Sequence, residues 1–171
     1  DDWYHVVISY SGSFEGEGDY TFSFNDEDHT NTIYPGSGAV LDNSAGKAGV
    51  VVSTTKYNSS SDFSNNNGYG LMVFSNGNIS LTSANSNSNV RIGIYLDNPD
   101  SKGSVSIVDK SGNSSVSENH WIGIYAITRG NITIKGITSI NDSGVTGMYL
   151  DNCIYDGESD TCLGSGKVTV L

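Results

Sequence analysis

Gly93-Ile94-Tyr95-Leu96-Asp97-Asn98 recurs as Gly147-Met148-Tyr149-Leu150-Asp151-Asn152 and, more loosely, as Gly38-Ala39-Val40-Leu41-Asp42-Asn43. Between these copies stand relatives without the acidic end, Gly70-Leu71-Met72-Val73-Phe74-Ser75 and Gly123-Ile124-Tyr125-Ala126-Ile127-Thr128. Each is followed by a second β-forming stretch that opens on glycine. These are Gly49-Val50-Val51-Val52, Gly77-Asn78-Ile79-Ser80-Leu81, Gly103-Ser104-Val105-Ser106-Ile107, Gly130-Asn131-Ile132-Thr133-Ile134 and Gly166-Lys167-Val168-Thr169-Val170. Long and short spacings alternate from Gly38 through Gly70, Gly93, Gly123 and Gly147, so the repeating unit is a pair of about 54 residues. In the long units a third leg also matches, Asp62-Phe63-Ser64-Asn65-Asn66 with Ser115-Val116-Ser117-Glu118-Asn119.

Two or three short strands per unit predict one rung of a β-solenoid. A single rung cannot bury its apolar face alone, and stacking on the next at about 4.8 Å supplies both core and backbone hydrogen bonds. Alternation assigns the faces. Ile94/Leu96, Ile124/Ala126 and Met148/Leu150 point inward from the first strands. Ile79/Leu81, Val105/Ile107, Ile132/Ile134 and Val168/Val170 do so from the second. The outward columns are Ser80, Ser106, Thr133 and Thr169 on one side and Val40, Met72, Tyr95, Tyr125 and Tyr149 on the other.

Composition agrees with that reading. Only 36% of the 171 residues are hydrophobic and 21 are glycine, and no window keeps apolar residues at helical spacing. The formal charge of −11 repels phosphate backbones and argues against nucleic acid as a partner. No apolar run reaches the length of a membrane span, and Asp1 does not begin a signal peptide. The chain stops at Lys167-Val168-Thr169-Val170-Leu171, inside a predicted strand, which suggests a segment of something longer. Residues 1–37 do not follow the repeat of 38–171. Their β-forming stretches, Trp3–Tyr10 and Tyr20–Phe24, suit either a hairpin cap or an irregular first coil. Cys153 and Cys162, the only cysteines, share one polar loop without a Cys or His companion, which favours a local disulfide and an oxidising compartment over zinc.

The patterns G-[IM]-Y-L-D-N and G-N-I-[ST]-[LI], with the closing D-N-C…C-x-G-S-G-K-V-T-V, resemble right-handed parallel β-helix repeats of very long secreted or cell-surface proteins. Such arrays occur in filamentous bacteria, notably Chloroflexota, and share their fold with pectate lyases and filamentous adhesins. The resemblance covers residues 38–171. It implies an all-β, right-handed parallel β-helix of about five rungs with an N-terminal cap or irregular rung. It implies little about activity, because the same fold carries lyases, hydrolases, adhesins and inert stalks.

Several side-chain groups invite a functional reading. Tyr95, Tyr125 and Tyr149 take one outward position in three consecutive rungs, where their rings could stack on sugars or simply on one another. Asp42, Asp97 and Asp151 recur every second rung, too far apart to share one metal ion, and suit turn chemistry better. Asp156, Glu158 and Asp160 alternate in the cysteine loop and resemble the opening of a calcium loop without its glycine and terminal glutamate. The run Asp26-Glu27-Asp28 beside His29 is a weaker case of the same kind. Arg91, Arg129, Lys110 and Lys135 fall in different legs, and His5, His29 and His120 in unrelated contexts, so no catalytic constellation converges. Sequons at Asn58, Asn78, Asn113, Asn131 and Asn141 follow from the composition.

The expectation is a non-catalytic structural segment of an extracellular bacterial adhesin, stalk or filament, meeting neighbouring repeats or subunits through its open ends. A glycan-binding β-helix using the tyrosine column is the alternative, and a polysaccharide lyase or hydrolase the third reading. No cofactor is expected beyond calcium in the cysteine loop, and no membrane insertion.

Overall fold

The structure, a computed structural model, describes residues 6–9, 21–23, 37–53, 60–99, 102–138, 140, 143–156 and 161–171. In chain order its strands are β1 (Val6–Ser9), β2 (Thr21–Ser23), β3 (Ala39–Asn43), β4 (Val50–Ser53), β5 (Ser61–Asp62), β6 (Leu71–Ser75), β7 (Ile79–Thr82) and β8 (Ala84–Asn85). They continue as β9 (Ile94–Asn98), β10 (Val105–Val108), β11 (Ile122–Thr128), β12 (Ile132–Lys135), β13 (Thr146–Asp151), β14 (Tyr155–Asp156), β15 (Thr161–Cys162) and β16 (Val168–Val170). No helix occurs among the described residues.

Two six-stranded sheets run the length of the molecule, β1-β4-β7-β10-β12-β16 and β13-β11-β9-β6-β3-β2. Every pairing in them is parallel. Each glycine-led stretch therefore lies on its own counterpart, and the chain is a parallel β-solenoid. β1 and β2 do not pair with each other. Each extends one of the long sheets, β1 on β4 and β2 on β3.

The inward columns form one continuous core. Leu41, Val73, Leu96, Ala126 and Leu150 stack in one sheet, and Val52, Leu81, Ile107, Ile134 and Val170 in the other. Most are inaccessible to solvent, with Met148 and Leu150 only partly covered and Val168 and Val170 exposed on the last strand. The outward column holds its register from Val40 through Met72, Tyr95 and Tyr125 to Tyr149. Its first two members depart from the sequence reading, however. Val40 and Met72 are 2% and 1% exposed, buried apart from the main core cluster, so only the tyrosines face outward into solvent.

The motif glycines have a steric cause. A Cβ on Gly38, Gly70, Gly93 or Gly123 would lie 2.5–2.7 Å from the carbonyl oxygen of the glycine in the next coil. The glycines that open the second strands form a similar column, with a Cβ on Gly130 striking the carbonyl of Gly103 at 2.5 Å. The coils are packed too closely there for any side chain.

Asparagine closes one corner of the coils. Asn66, Asn89 and Asn119, fully buried, each stand four residues before a motif glycine. The Asn66 backbone N–H and Nδ2 both donate to Asn89 Oδ1 at 2.9 Å. Asn89 repeats this on Asn119 Oδ1, at 3.1 Å from its N–H and 2.9 Å from Nδ2. Asn119 Nδ2 donates to the Ser86 carbonyl at 2.8 Å. The residue before each, Asn65, Ser88 or Glu118, has φ near +60° (61°, 56° and 58°), a left-handed conformation that turns the chain tightly and is unfavourable for Ser and Glu. At the opposite corner the Asn43, Asn98, Thr128 and Asn152 side chains donate to the carbonyls of Ala48, Gly77, Gly103 and Gly166, tying each first strand to the second.

Replacing Asn89 by Ala removes the acceptor of the buried Asn66 N–H. We expect a loss of about 2–3 kcal/mol in urea unfolding, against a change within about 0.5 kcal/mol for Asn113→Ala, whose side chain is exposed. Equal effects of the two would show that the buried ladder is not what holds the corner.

Candidate functional site

The tyrosine stripe is a regular feature of the outer surface. β9, β11 and β13 bring Tyr95, Tyr125 and Tyr149 into register. Their rings stack, with centroids 4.9 Å apart and planes at 2° for Tyr95–Tyr125, and 5.0 Å and 9° for Tyr125–Tyr149. At its start Tyr95 is flanked by Tyr69 edge-on at 5.9 Å and by Phe74 at 5.7 Å. Arg91 lies 5.6 Å from the centre of the Tyr69 ring, a cation–π contact. Tyr95 and Tyr125 are half-buried, while Tyr149 is 46% exposed.

Carboxylates border the stripe in alternate coils. In register the positions run Asp42, Phe74, Asp97, Ile127, Asp151. The Tyr95 hydroxyl donates to Asp97 Oδ2 at 3.1 Å, and the Tyr149 hydroxyl approaches Asp151 Oδ2 at 3.5 Å. Asp42 and Asp151 also cap turns, accepting the N–H of Ser44 at 2.9 Å and of Cys153 at 2.7 Å. Tyr125 has no carboxylate in its own strand. Burial pushes its phenol above the ordinary value, and the nearby Tyr149, Asp97 and Asp151 push it further in the same direction.

The remaining candidates separate rather than converge. Cys153 and Cys162 form a disulfide with Cα atoms 4.9 Å apart, beside the antiparallel pairing of β14 with β15. The calcium reading of that loop concerns Asp156, Glu158 and Asp160, of which Glu158, Asp160 and the Asp156 side chain lie outside the described residues, as do Asp26-Glu27-Asp28, His5 and His29. Among the described residues no three His, Cys, Asp or Glu side chains gather as a metal site. Arg129 follows β11, Lys110 follows β10, and Lys135 ends β12.

Asp109, which sequence reasoning passed over, closes a polar turn. Burial alone would raise its carboxyl, but the Ser111 and Ser114 hydroxyls and N–H groups donate to it and hold it well below the usual carboxylate range. Two further features were missed. The Asn66–Asn89–Asn119 ladder sits in the Ser/Asn-rich spacers that read as loops, although its fixed offset of four residues before the motif glycine was a usable signal. Trp121, half-exposed immediately before β11, falls just outside the repeating motif.

The raised Tyr125 phenol has a sign that can be checked. Its folded-state pKa lies above the unfolded value of about 10, so its contribution is complete below pH 10 and is lost as pH rises through the folded-state pKa. Stability should therefore fall above about pH 10, and Tyr125→Phe, which keeps the ring stack, should flatten that fall. An unchanged alkaline profile, followed by thermal unfolding between pH 8 and 11, would remove Tyr125 as the cause.

No protein family, curated protein or solved structure matches the chain; its identification as a β-solenoid rests on its own strand register.

Proposed function

We propose that the chain is a stiff structural segment of an extracellular surface or secreted protein of the adhesin, stalk or filament kind, without catalytic activity. The observation that carries this is the self-pairing of its conspicuous outer column. Rings meant to hold sugars need an open face. The faces of Tyr95 and Tyr125 are turned to one another at 4.9 Å and those of Tyr125 and Tyr149 at 5.0 Å. The tyrosines thus act as an external clamp on three successive coils, adding to the asparagine clamp inside. The likeness of the G-[IM]-Y-L-D-N repeats to those of long surface proteins of filamentous bacteria, with their pectate-lyase-like fold, supports the same reading. The Cys153–Cys162 disulfide suits an oxidising compartment, and the charge of −11 suits a solvated exterior. Its partners on this reading are neighbouring repeats or subunits that continue the two long sheets.

The test compares the wild type with triple Tyr→Phe and triple Tyr→Ala variants at positions 95, 125 and 149. Under the structural reading the Phe variant stays close to wild type. The Ala variant loses about 2–3 kcal/mol, from two ring pairs worth about 0.5–1.5 kcal/mol each and the apolar area that goes with them. Migration in gels containing polysaccharide should be the same for all three. Retardation that disappears only in the Ala variant, with its fold intact, would favour the glycan reading of the stripe. Release of reducing ends, or of unsaturated ends from uronate polymers with calcium, would reject the non-catalytic reading outright.

A further inference from the structure

The tyrosine stripe closes its ring faces to a ligand, but electron transfer needs contact between rings and no open face. Tyr69, Tyr95, Tyr125 and Tyr149 form an unbroken series, with successive ring centroids 5.9, 4.9 and 5.0 Å apart. The last three present nearly parallel π systems to one another, at 2° and 9°. The negative face of an aromatic ring attracts a neighbouring positive charge. An electron vacancy on one of these rings is therefore stabilised by the rings beside it, most of all at Tyr125, which has one on each face.

The charges around the stripe act in the same direction. Asp97 Oδ2 and Asp151 Oδ2 lie 3.1 and 3.5 Å from the Tyr95 and Tyr149 hydroxyls. Burial first, then Tyr149, Asp97 and Asp151, hold the Tyr125 phenol above its ordinary value. The two carboxylates that resist loss of its proton favour loss of an electron, because that leaves a positive charge beside them. Arg91, 5.6 Å from the centre of the Tyr69 ring, has the opposite effect there and drives a vacancy away from Tyr69 towards Tyr95. A phenol that loses an electron becomes a strong acid and must shed its proton. Tyr95 already donates to Asp97 Oδ2, a base placed for that transfer. Tyr125 has no carboxylate in its own strand and passes the vacancy on.

We propose that the stripe is a one-electron redox site, oxidised by a radical or by a high-valent metal-oxo oxidant of the peroxidase class, with Asp97 and Asp151 as the proton acceptors. The electron passes to the oxidant, the O–H bond of Tyr95 breaks and its proton moves to Asp97 Oδ2. A neutral phenoxyl radical and a protonated carboxyl group remain. An electron from Tyr149, relayed through Tyr125, then returns Tyr95 to the phenol, with the proton coming back from Asp97, while the Tyr149 proton moves to Asp151 Oδ2. Each oxidising equivalent is taken up without turnover, so this role adds to the structural one.

Flash-generated tris(bipyridyl)ruthenium(III) serves as the oxidant, its reduction followed by absorbance and the radical by freeze-quench electron paramagnetic resonance. The wild type gives a tyrosyl signal. The triple Tyr→Phe variant at positions 95, 125 and 149, which retains the ring stack, loses that signal and reduces the oxidant more slowly. Asp97→Asn combined with Asp151→Asn slows the reduction about tenfold or more while circular dichroism stays that of the wild type. Should this double variant fail to fold, a slowing of the wild-type reaction in deuterium oxide that is absent from the triple Phe variant reads the same proton transfer. A nitroso spin trap with peptide mapping places the adduct at Tyr149, the exposed end of the stripe, and Tyr125→Phe shifts it to Tyr95. Equal reduction rates for wild type and the triple Phe variant, a tyrosyl signal that survives those substitutions, an unchanged rate in the double Asn variant, or an adduct distribution unaffected by Tyr125→Phe overturns the proposal.

Discussion

Parallel stacking places every residue on its counterpart in the next coil, so each column must be built from side chains that tolerate their own kind at about 4.8 Å. Five of the columns among the described residues answer that constraint in different ways. Aliphatic side chains pack on copies of themselves, as Leu41, Val73, Leu96 and Ala126 do. Glycine removes the side chain where backbones close in. An amide is its own complement, donating to one neighbour and accepting from the other, which lets Asn66, Asn89 and Asn119 run through the interior without an unmatched end between them. Tyrosine stacks face to face. A carboxylate alone cannot repeat. Two of them one coil apart would repel by about 3 kcal/mol at an effective dielectric near 20, and by half that or less two coils apart. The sequence Asp42, Phe74, Asp97, Ile127, Asp151 places them every second coil. The pairing of unlike coils into one repeat keeps the carboxylates of that column two coils apart.

The asparagine corner shows how strain and satisfaction are matched. Left-handed backbone at Ser88 and Glu118 is disfavoured by roughly 1–2 kcal/mol each, and it is needed to turn the chain from the third leg into the motif glycine. The Asn that follows is held by two hydrogen bonds to the next coil, and the Ser88 hydroxyl donates to Glu118 at 3.1 Å on the outside. Strain of this size persists where neighbouring contacts over-determine it. The ladder stops where the series of amides stops. Ser143 takes the equivalent place four residues before Gly147, and its buried hydroxyl has no hydrogen-bond partner.

Columns made of repeated types were legible in the amino-acid sequence because repetition is itself the signal. The glycine-led strands, the inward aliphatics, the alternation of Asp97 with Ile127 and the tyrosine register all follow from laying the copies over one another. Two things were not legible. Burial of Val40 and Met72 depends on what covers the outer face near β3 and β6, and alternation within a strand says only which side a residue takes. The third leg hides its pattern in Asn and Ser, which composition alone cannot divide between buried ladder and exposed turn. Asn66 is buried and Asn67 beside it is exposed, though both are asparagines in the same spacer.

The same logic separates structural from available surface. A side chain that repeats from coil to coil finds its partner in its own copy and has little left to offer a ligand. Tyr125 is the clearest case, covered on both ring faces by Tyr95 and Tyr149. A side chain that breaks its column finds no such partner. Trp121 lies between the coils of Arg91 and Val145, neither of them aromatic, and keeps half its surface in solvent. In a solenoid stabilised by likeness, irregular outward positions are where chemistry directed at another molecule can be placed without loosening the stack. The regular tyrosines turn their ring faces to one another, whereas Trp121, outside their column, stacks on no copy of itself and keeps half its surface in solvent.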